Sequence, residues 1–199
     1  MLRLGMLVFI GLAASLAAAG EYNPVLDIGD VGPAWKNLPG VDGKQHSLAD
    51  VQDKKVVVVV FTCNSCPVAR DYEQRLITFA NRHADDVAVV AINVNRIADD
   101  SLPKMKERAE AEKFPFPYLF DETQQIAKDY GATFTPEFFV LGPDRKIAYM
   151  GGMDDNSNAA EVKVNYLEPA VEAVLAGKTP ETAEAVARGC RIRYARERR

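Results

Sequence analysis

The sequence predicts an α/β fold, with a central mixed sheet flanked by helices. Three observations carry that reading. Val56 to Phe61 is an unbroken apolar run of five Val and one Phe, as a central strand covered on both faces requires. Strand-like and helix-like stretches then alternate, which favours parallel pairing through right-handed crossovers. Near the end, two short apolar runs flank the turn residues Gly142, Pro143 and Asp144, marking an antiparallel hairpin at the edge.

Each element has a local reason. Residues 23–50 are crowded with Pro, Gly and Asp and read as loops and short strands, with one helical turn over Ser47 to Val51. After the central strand, Val68, Tyr72, Leu76 and Phe79 recur at helical spacing and form the buried stripe of a helix ending near Ala84. Pro67 falls in its first turn, where a missing N–H costs nothing. Val87 to Val94 is a second buried strand. Ser101 is placed to cap a helix from about Pro103 to Lys113, which PhePro-PhePro at 114–117 ends. Tyr118 to Phe120 is a short strand. Asp121 or Thr123 caps a helix that stops at Gly131. Glu137–Leu141 and Lys146–Met150 are the hairpin strands. A last helix is expected over about Ala160 to Ala176, with Val164, Leu167, Val171, Val174 and Leu175 inward. Pro169 should kink or break it, and Gly177 should stop it.

The 199 residues suit one medium domain. With 48% hydrophobic and 26% charged residues, wholesale disorder is excluded. A formal charge of -4 argues against a nucleic-acid partner. The two histidines, His46 and His83, leave no His-rich metal site, and both are read as surface residues. Trp35 and Phe116 are read as core or rim. Three cysteines are too few for a stapled scaffold and are free for chemistry.

The N-terminus reads as a secretory signal. Arg3 precedes the run Leu4 to Ala19, interrupted by one polar residue, Ser15, with small residues at Ala17 and Ala19. The run of about 16 residues falls short of the ~20 that span a bilayer. The division is then a signal over 1–19 cut near Ala19, a domain over 20–178 and a basic tail over 179–199. A periplasmic or secreted location follows, with an uncleaved membrane anchor as the alternative. Residues 188–199 hold six Arg and one Glu, a charge of +5, while Gly20 to Ala187 carries -10. Such a tail docks back on the body, touches an acidic partner or lipid, or frays into solvent.

The chemistry centres on Cys63 and Cys66. Two intervening residues let the thiols close a small disulfide at the start of a helix. There the free N–H groups and positive potential favour a thiolate. Cys63, before the first turn, is expected to be more exposed and more acidic and to attack first; Cys66 resolves the mixed disulfide. A structural disulfide and half of a metal site are the alternatives. Zinc would want two further ligands, and Cu(I) on two thiolates stays open.

The run 56–67, ending PheThrCysAsnSerCysPro, and ThrPro at 135–136 before PhePheVal resemble the thioredoxin superfamily. Gly29 to Pro33, followed by GlyValAspGlyLys at 40–44 before SerLeu, is similar to its redoxin branch, the alkyl hydroperoxide reductase/thiol-specific antioxidant proteins. The likeness covers about residues 25–176. It implies a thioredoxin-like fold, with the stretch from Val94 to Phe120 as an inserted strand-helix element. It also implies that Pro136 is cis and faces the cysteine pair, and that Thr135 pairs with the backbone of an incoming substrate chain. Thr62 stands where such proteins usually have Trp, and Val57 where thioredoxin has a buried acid. The peroxidatic pattern Pro-x3-Thr-x2-Cys is absent from either cysteine.

Cys190, within GlyCysArgIleArg, is a candidate third thiol that folds back on the pair, with Arg188 and Arg191 favouring its thiolate. Its alternative is a thiol with no role. The function expected is an extracytoplasmic thiol-disulfide oxidoreductase using Cys63 and Cys66, with Thr135 and Pro136 binding substrate. It needs no cofactor and no metal, and its partners are protein or small-molecule thiols and disulfides. A thiol peroxidase and a Cu(I)-binding module are the alternatives.

Overall fold

The computed structural model describes residues 20–195. The leader and its cut near Ala19 lie outside the described residues. Among those described, no helix is long and apolar enough to cross a membrane.

A small antiparallel pair, β1 (Leu38–Pro39) and β2 (Gln45–His46), precedes a single helical turn at Leu48–Val51. The body follows as β3 (Val56–Phe61), α1 (Pro67–Arg82), β4 (Val87–Asn93), α2 (Leu102–Glu112), β5 (Tyr118–Phe120) and α3 (Gln125–Asp129). Then come β6 (Phe134–Thr135), β7 (Glu137–Leu141), β8 (Ile147–Gly151), α4 (Leu167–Leu175) and β9 (Cys190–Arg191). The main sheet has the order β5-β4-β3-β7-β8. Pairing is parallel from β3 to β5 and antiparallel across β3, β7 and β8. This is a thioredoxin-like α/β fold, and α2 with β5 forms the element inserted beyond β4.

Strand β3 divides the core because its side chains alternate between the two faces. Val56, Val58 and Val60 pack with Leu76 and Phe79 of α1, Met105 of α2 and Val171 of α4. Val57, Val59 and Phe61 pack with Trp35, Ile126 of α3, Phe139 of β7 and Ile192 of the C-terminal segment. Phe61 meets Tyr130 and Phe139 edge-on, with centroids 5.4 and 5.7 Å away. Phe61→Ala should therefore cost about 3–5 kcal/mol, read as a lower urea midpoint at unchanged slope.

Two expectations fail at the last helix. Helix α4 begins only at Leu167, so Val164, expected inward, is 46% exposed. Asp155 holds the preceding loop extended by accepting the N–H groups of Lys163 and Val164 at 2.9 and 3.1 Å. Pro169 then falls in the first turn of α4 and forces no kink. Ser101 occupies the cap position of α2, but its hydroxyl donates back to the Ala98 carbonyl instead.

The C-terminal segment runs back over the domain. Met150 of β8 brackets Glu184 with two backbone bonds: its N–H donates to the Ala183 carbonyl, and its carbonyl accepts the Ala185 N–H. Strand β9 then pairs antiparallel with β6, Cys190 opposite Thr135 and Arg191 opposite Phe134. Beyond it, Ile192 N–H donates to Thr133 and Arg193 N–H to the Asn95 side chain. Ile192 is buried, while Arg188, Arg191 and Arg193 face outward.

Candidate functional site

The C-terminal ends of parallel strands β3 and β4 lie side by side, the usual position of α/β sites. The chain leaves β3 through Thr62 and enters α1 at Pro67. Pro67 is the first helical residue, so Cys66 is the cap, and its sulfur accepts the Ala69 N–H at 3.4 Å. All three cysteines are free thiols here. Thr135 bridges the CxxC pair: its hydroxyl is 3.4 Å from Cys63 Sγ, and its carbonyl accepts from the Cys66 thiol at 3.2 Å. The Thr135–Pro136 bond is cis. The residues singled out as Cys63, Cys66, Thr135, Pro136 and Cys190 thus converge on one place.

The expected difference between the cysteines is not found. Cys63 is 2% exposed and Cys66 1%. A hydrogen bond to Cys66, and then burial, push the Cys63 thiol far up. The hydrogen bond from Cys63 brings Cys66 down to about 5 against the effect of burial, helped by hydrogen bonds from Cys190 and the Ala69 N–H. Of the two thiols, Cys66 is therefore the more readily ionised. The Ala69 N–H adds to that effect at Cys66 and not at Cys63, because Cys66 is the cap of α1.

Sequence reasoning missed the group that shapes the CxxC loop. Asp100, fully buried in the loop after β4, accepts Asn64 N–H at 2.7 Å, Ser65 N–H at 3.1 Å and the Ser65 hydroxyl at 2.6 Å. Asn93 donates to the same carboxylate at 3.2 Å, and Tyr118 donates to Asn64 Oδ1 at 3.1 Å. These contacts fix the two residues between the cysteines. The placement of active loops at the ends of parallel strands was the available signal.

A second buried acid, Glu137, follows Pro136 and accepts the N–H groups of Thr133 and Phe134 at 2.7 and 2.9 Å on one oxygen. Burial raises its carboxyl despite those bonds. A carboxyl raised by folding favours the native state at low pH, and that contribution is lost as pH rises through the folded value. Glu137→Gln keeps an acceptor for both N–H groups and removes the buried charge. The variant should be more stable than wild type at neutral pH, with the gap closing as pH falls through the carboxylate range. Thermal melts across pH check this.

The remaining candidates take bland places. His46 pairs with Asp42 at 3.0 Å and His83 with Glu168 at 2.7 Å. Trp35 and Phe116 are buried in the core. Among the described residues, no group of three or more His, Cys, Asp or Glu is arranged to hold a metal ion.

Known proteins resemble this chain over most of its length. Residues 28–150 match the AhpC/TSA family. Peroxiredoxin Bcp of Escherichia coli K12 is 27% identical over 158 residues, covering 73% of this chain and 97% of that protein. An uncharacterized conserved protein from Geobacillus kaustophilus superposes with a TM-score of 0.82 at 33% identity, over 88% of this chain and 96% of its own. A hypothetical protein, SMc02350 from Sinorhizobium meliloti 1021, gives 0.81 and 32%, over 87% and 97%. With paired thiols at the end of the central strand and the family match spanning the sheet that carries them, the chain belongs to the AhpC/TSA family, in the redoxin branch of the thioredoxin superfamily, and is an oxidoreductase.

Proposed function

We propose that this protein is an extracytoplasmic thiol-disulfide oxidoreductase whose Cys63–Cys66 pair cycles between dithiol and disulfide. The observation that carries the reading is the contact of both sulfurs with one residue, Thr135, through its hydroxyl and its carbonyl. That arrangement suits a proton moving between the sulfurs. Cys63 passes its proton to the Cys66 thiolate, and the new Cys66 thiol donates to the Thr135 carbonyl. The Cys63 thiolate, facing the Thr135 and Ser65 hydroxyls, attacks one sulfur of a substrate disulfide. The substrate S–S bond breaks, and the leaving thiolate takes the Cys66 proton. Cys66 then attacks the Cys63 sulfur, closing the protein disulfide and releasing the second substrate thiolate, which is protonated from water. Two electrons pass to the substrate; the reverse sequence oxidises a dithiol.

Protein or small-molecule thiols and disulfides are the substrates, and the leader-like residues 3–19 support a location where disulfides persist. The test is a redox titration in glutathione buffers with alkylation trapping and peptide mapping. A reversible Cys63–Cys66 couple with a midpoint of roughly -270 to -120 mV is expected. No reversible couple would overturn the reading. N-terminal sequencing of protein from the cell envelope tests the location, and an intact Met1 in the cytosolic fraction would sink it.

The family match and the likeness to peroxiredoxin Bcp favour a second reading, a thiol peroxidase. Cys63 thiolate would attack a peroxide oxygen, giving a sulfenic acid and an alcohol or water. Cys66 would then displace hydroxide, released as water, to form the same disulfide. Peroxide consumption no faster than that of a free thiol excludes it.

A further inference from the structure

Strand β9 occupies the backbone edge that an incoming substrate chain would use. Cys190 lies directly opposite Thr135, the residue before Pro136, in an antiparallel register. The Thr135 hydroxyl, already 3.4 Å from Cys63 Sγ, is also 3.4 Å from the Cys190 carbonyl. The Cys190 side chain packs against Cys63, Cys66 and Ala69. The Thr135 carbonyl against which Gly189 is seated is also the acceptor of the Cys66 thiol, at 3.2 Å, so the strand brings Cys190 to the Cys66 side of the pair. Gly189 allows this approach, since a Cβ there would lie 2.0 Å from the Thr135 carbonyl oxygen. Of the three thiols, Cys63 and Cys66 are buried while Cys190 is half-exposed.

We propose that β9 is the protein's own substrate strand and that Cys190 is a third redox thiol, exchanging with the Cys63–Cys66 disulfide through Cys66. The inference rests on the dithiol-disulfide cycle proposed above and extends it. In the step, the Cys190 thiolate attacks the Cys66 sulfur. The Cys66–Cys190 bond forms, the Cys63–Cys66 bond breaks, and Cys63 leaves as a thiolate that takes the proton Cys190 lost. The oxidation level of the protein is unchanged, so no oxidant or reductant enters. The disulfide has moved from two buried sulfurs to one that an external dithiol can reach. That dithiol attacks the Cys190 sulfur, is itself oxidised to a disulfide, and returns both protein thiols. Cys66 bonds the carbonyl of Thr135, the residue that Cys190 faces in the ladder, which makes it the pivot.

The test uses the full chain and three isosteric variants. Cys63→Ser is equilibrated with oxidised glutathione, trapped by alkylation and mapped. An intramolecular Cys66–Cys190 disulfide is the expected product, and Cys66→Ser should give no Cys63–Cys190 bond. In Cys190→Ser the Cys63–Cys66 couple persists, but dithiothreitol should reduce it about tenfold more slowly or worse, because the pair stays covered and the relay is gone. Circular dichroism establishes that each variant is folded. The inference is overturned if folded Cys63→Ser keeps both remaining thiols free or carries only glutathione adducts, or if Cys66→Ser pairs Cys63 with Cys190. Unchanged reduction of Cys190→Ser overturns it as well. These results leave the wild-type Cys63–Cys66 couple standing, whereas its absence would overturn the underlying cycle itself.

Discussion

Cys66→Ser should stop turnover at the first mixed disulfide. Substrate disulfide opened by Cys63 needs a second nucleophile to release it, and Cys66 is the thiol held beside Cys63 on the same residue, Thr135. A well-placed intramolecular nucleophile has an effective molarity of about 10⁵ M or more. External thiol at millimolar concentration cannot match even a small fraction of that, so exchange should fall at least about a thousandfold. The substitution removes a second function too. Cys66 is the more readily ionised of the pair, with its thiol brought down to about 5 by the bond from Cys63, and in the proposed cycle it receives the Cys63 proton before attack. Reduced wild type should therefore show the ultraviolet absorbance of thiolate at neutral pH, and the variant should lose it. Stopped-flow exchange with a model disulfide and mass spectrometry of the trapped adduct check both expectations. Wild-type turnover by Cys66→Ser would show that the two sulfurs do not act in sequence.

Much of the frame that supports this chemistry is legible in the sequence, for a physical reason. A central strand is buried on both faces, so β3 needs an unbroken apolar run and its bounds coincide with Val56–Phe61. The hairpin of β7 and β8 is marked by its turn. The start of α4 is not legible, because side-chain bonds from Asp155 to residues eight and nine further on outweigh the apolar pattern across 160–166. Asp100 is hidden for a similar reason: its partners are backbone groups 35 and 36 residues away, and a lone acid in a loop carries no sign of them. The helix N–H on Cys66 was within reach, since Pro67 at the first helical position makes the residue before it the cap. Burial of the pair was not, because β9 has two residues and buries little besides the adjoining Ile192. The six arginines of residues 188–199 give the stretch, read as sequence, the look of a free terminus.

Gly189→Val should strip that cover from the cysteines. A Cβ at position 189 would meet the Thr135 carbonyl oxygen at 2.0 Å and its carbonyl carbon at 2.8 Å, and both are backbone atoms that cannot step aside. The β6–β9 ladder therefore cannot form in the variant. Docking of the segment in wild type is sustained by burial of Ile192, about 1.5–3 kcal/mol, and by backbone bonds contributing about 0.5–1.5 kcal/mol each. Offset by the entropy of ordering the segment, a net of about 2–4 kcal/mol remains, or roughly 30- to 1,000-fold in the ratio of closed to open protein. Alkylation of buried thiols proceeds through the open state when opening is fast. Native-state alkylation of Cys63 and Cys66 should thus accelerate by about that factor in Gly189→Val, while a cooperative thermal transition shows that the sheet is intact. Rates equal to wild type would mean that something other than β9 seals the pair. The direction also separates cover from chemistry. Removing the strand opens the sulfurs to any reagent, whereas Cys190→Ser leaves the strand in place and withdraws only a thiol, so the two substitutions should move reduction of the disulfide in opposite senses.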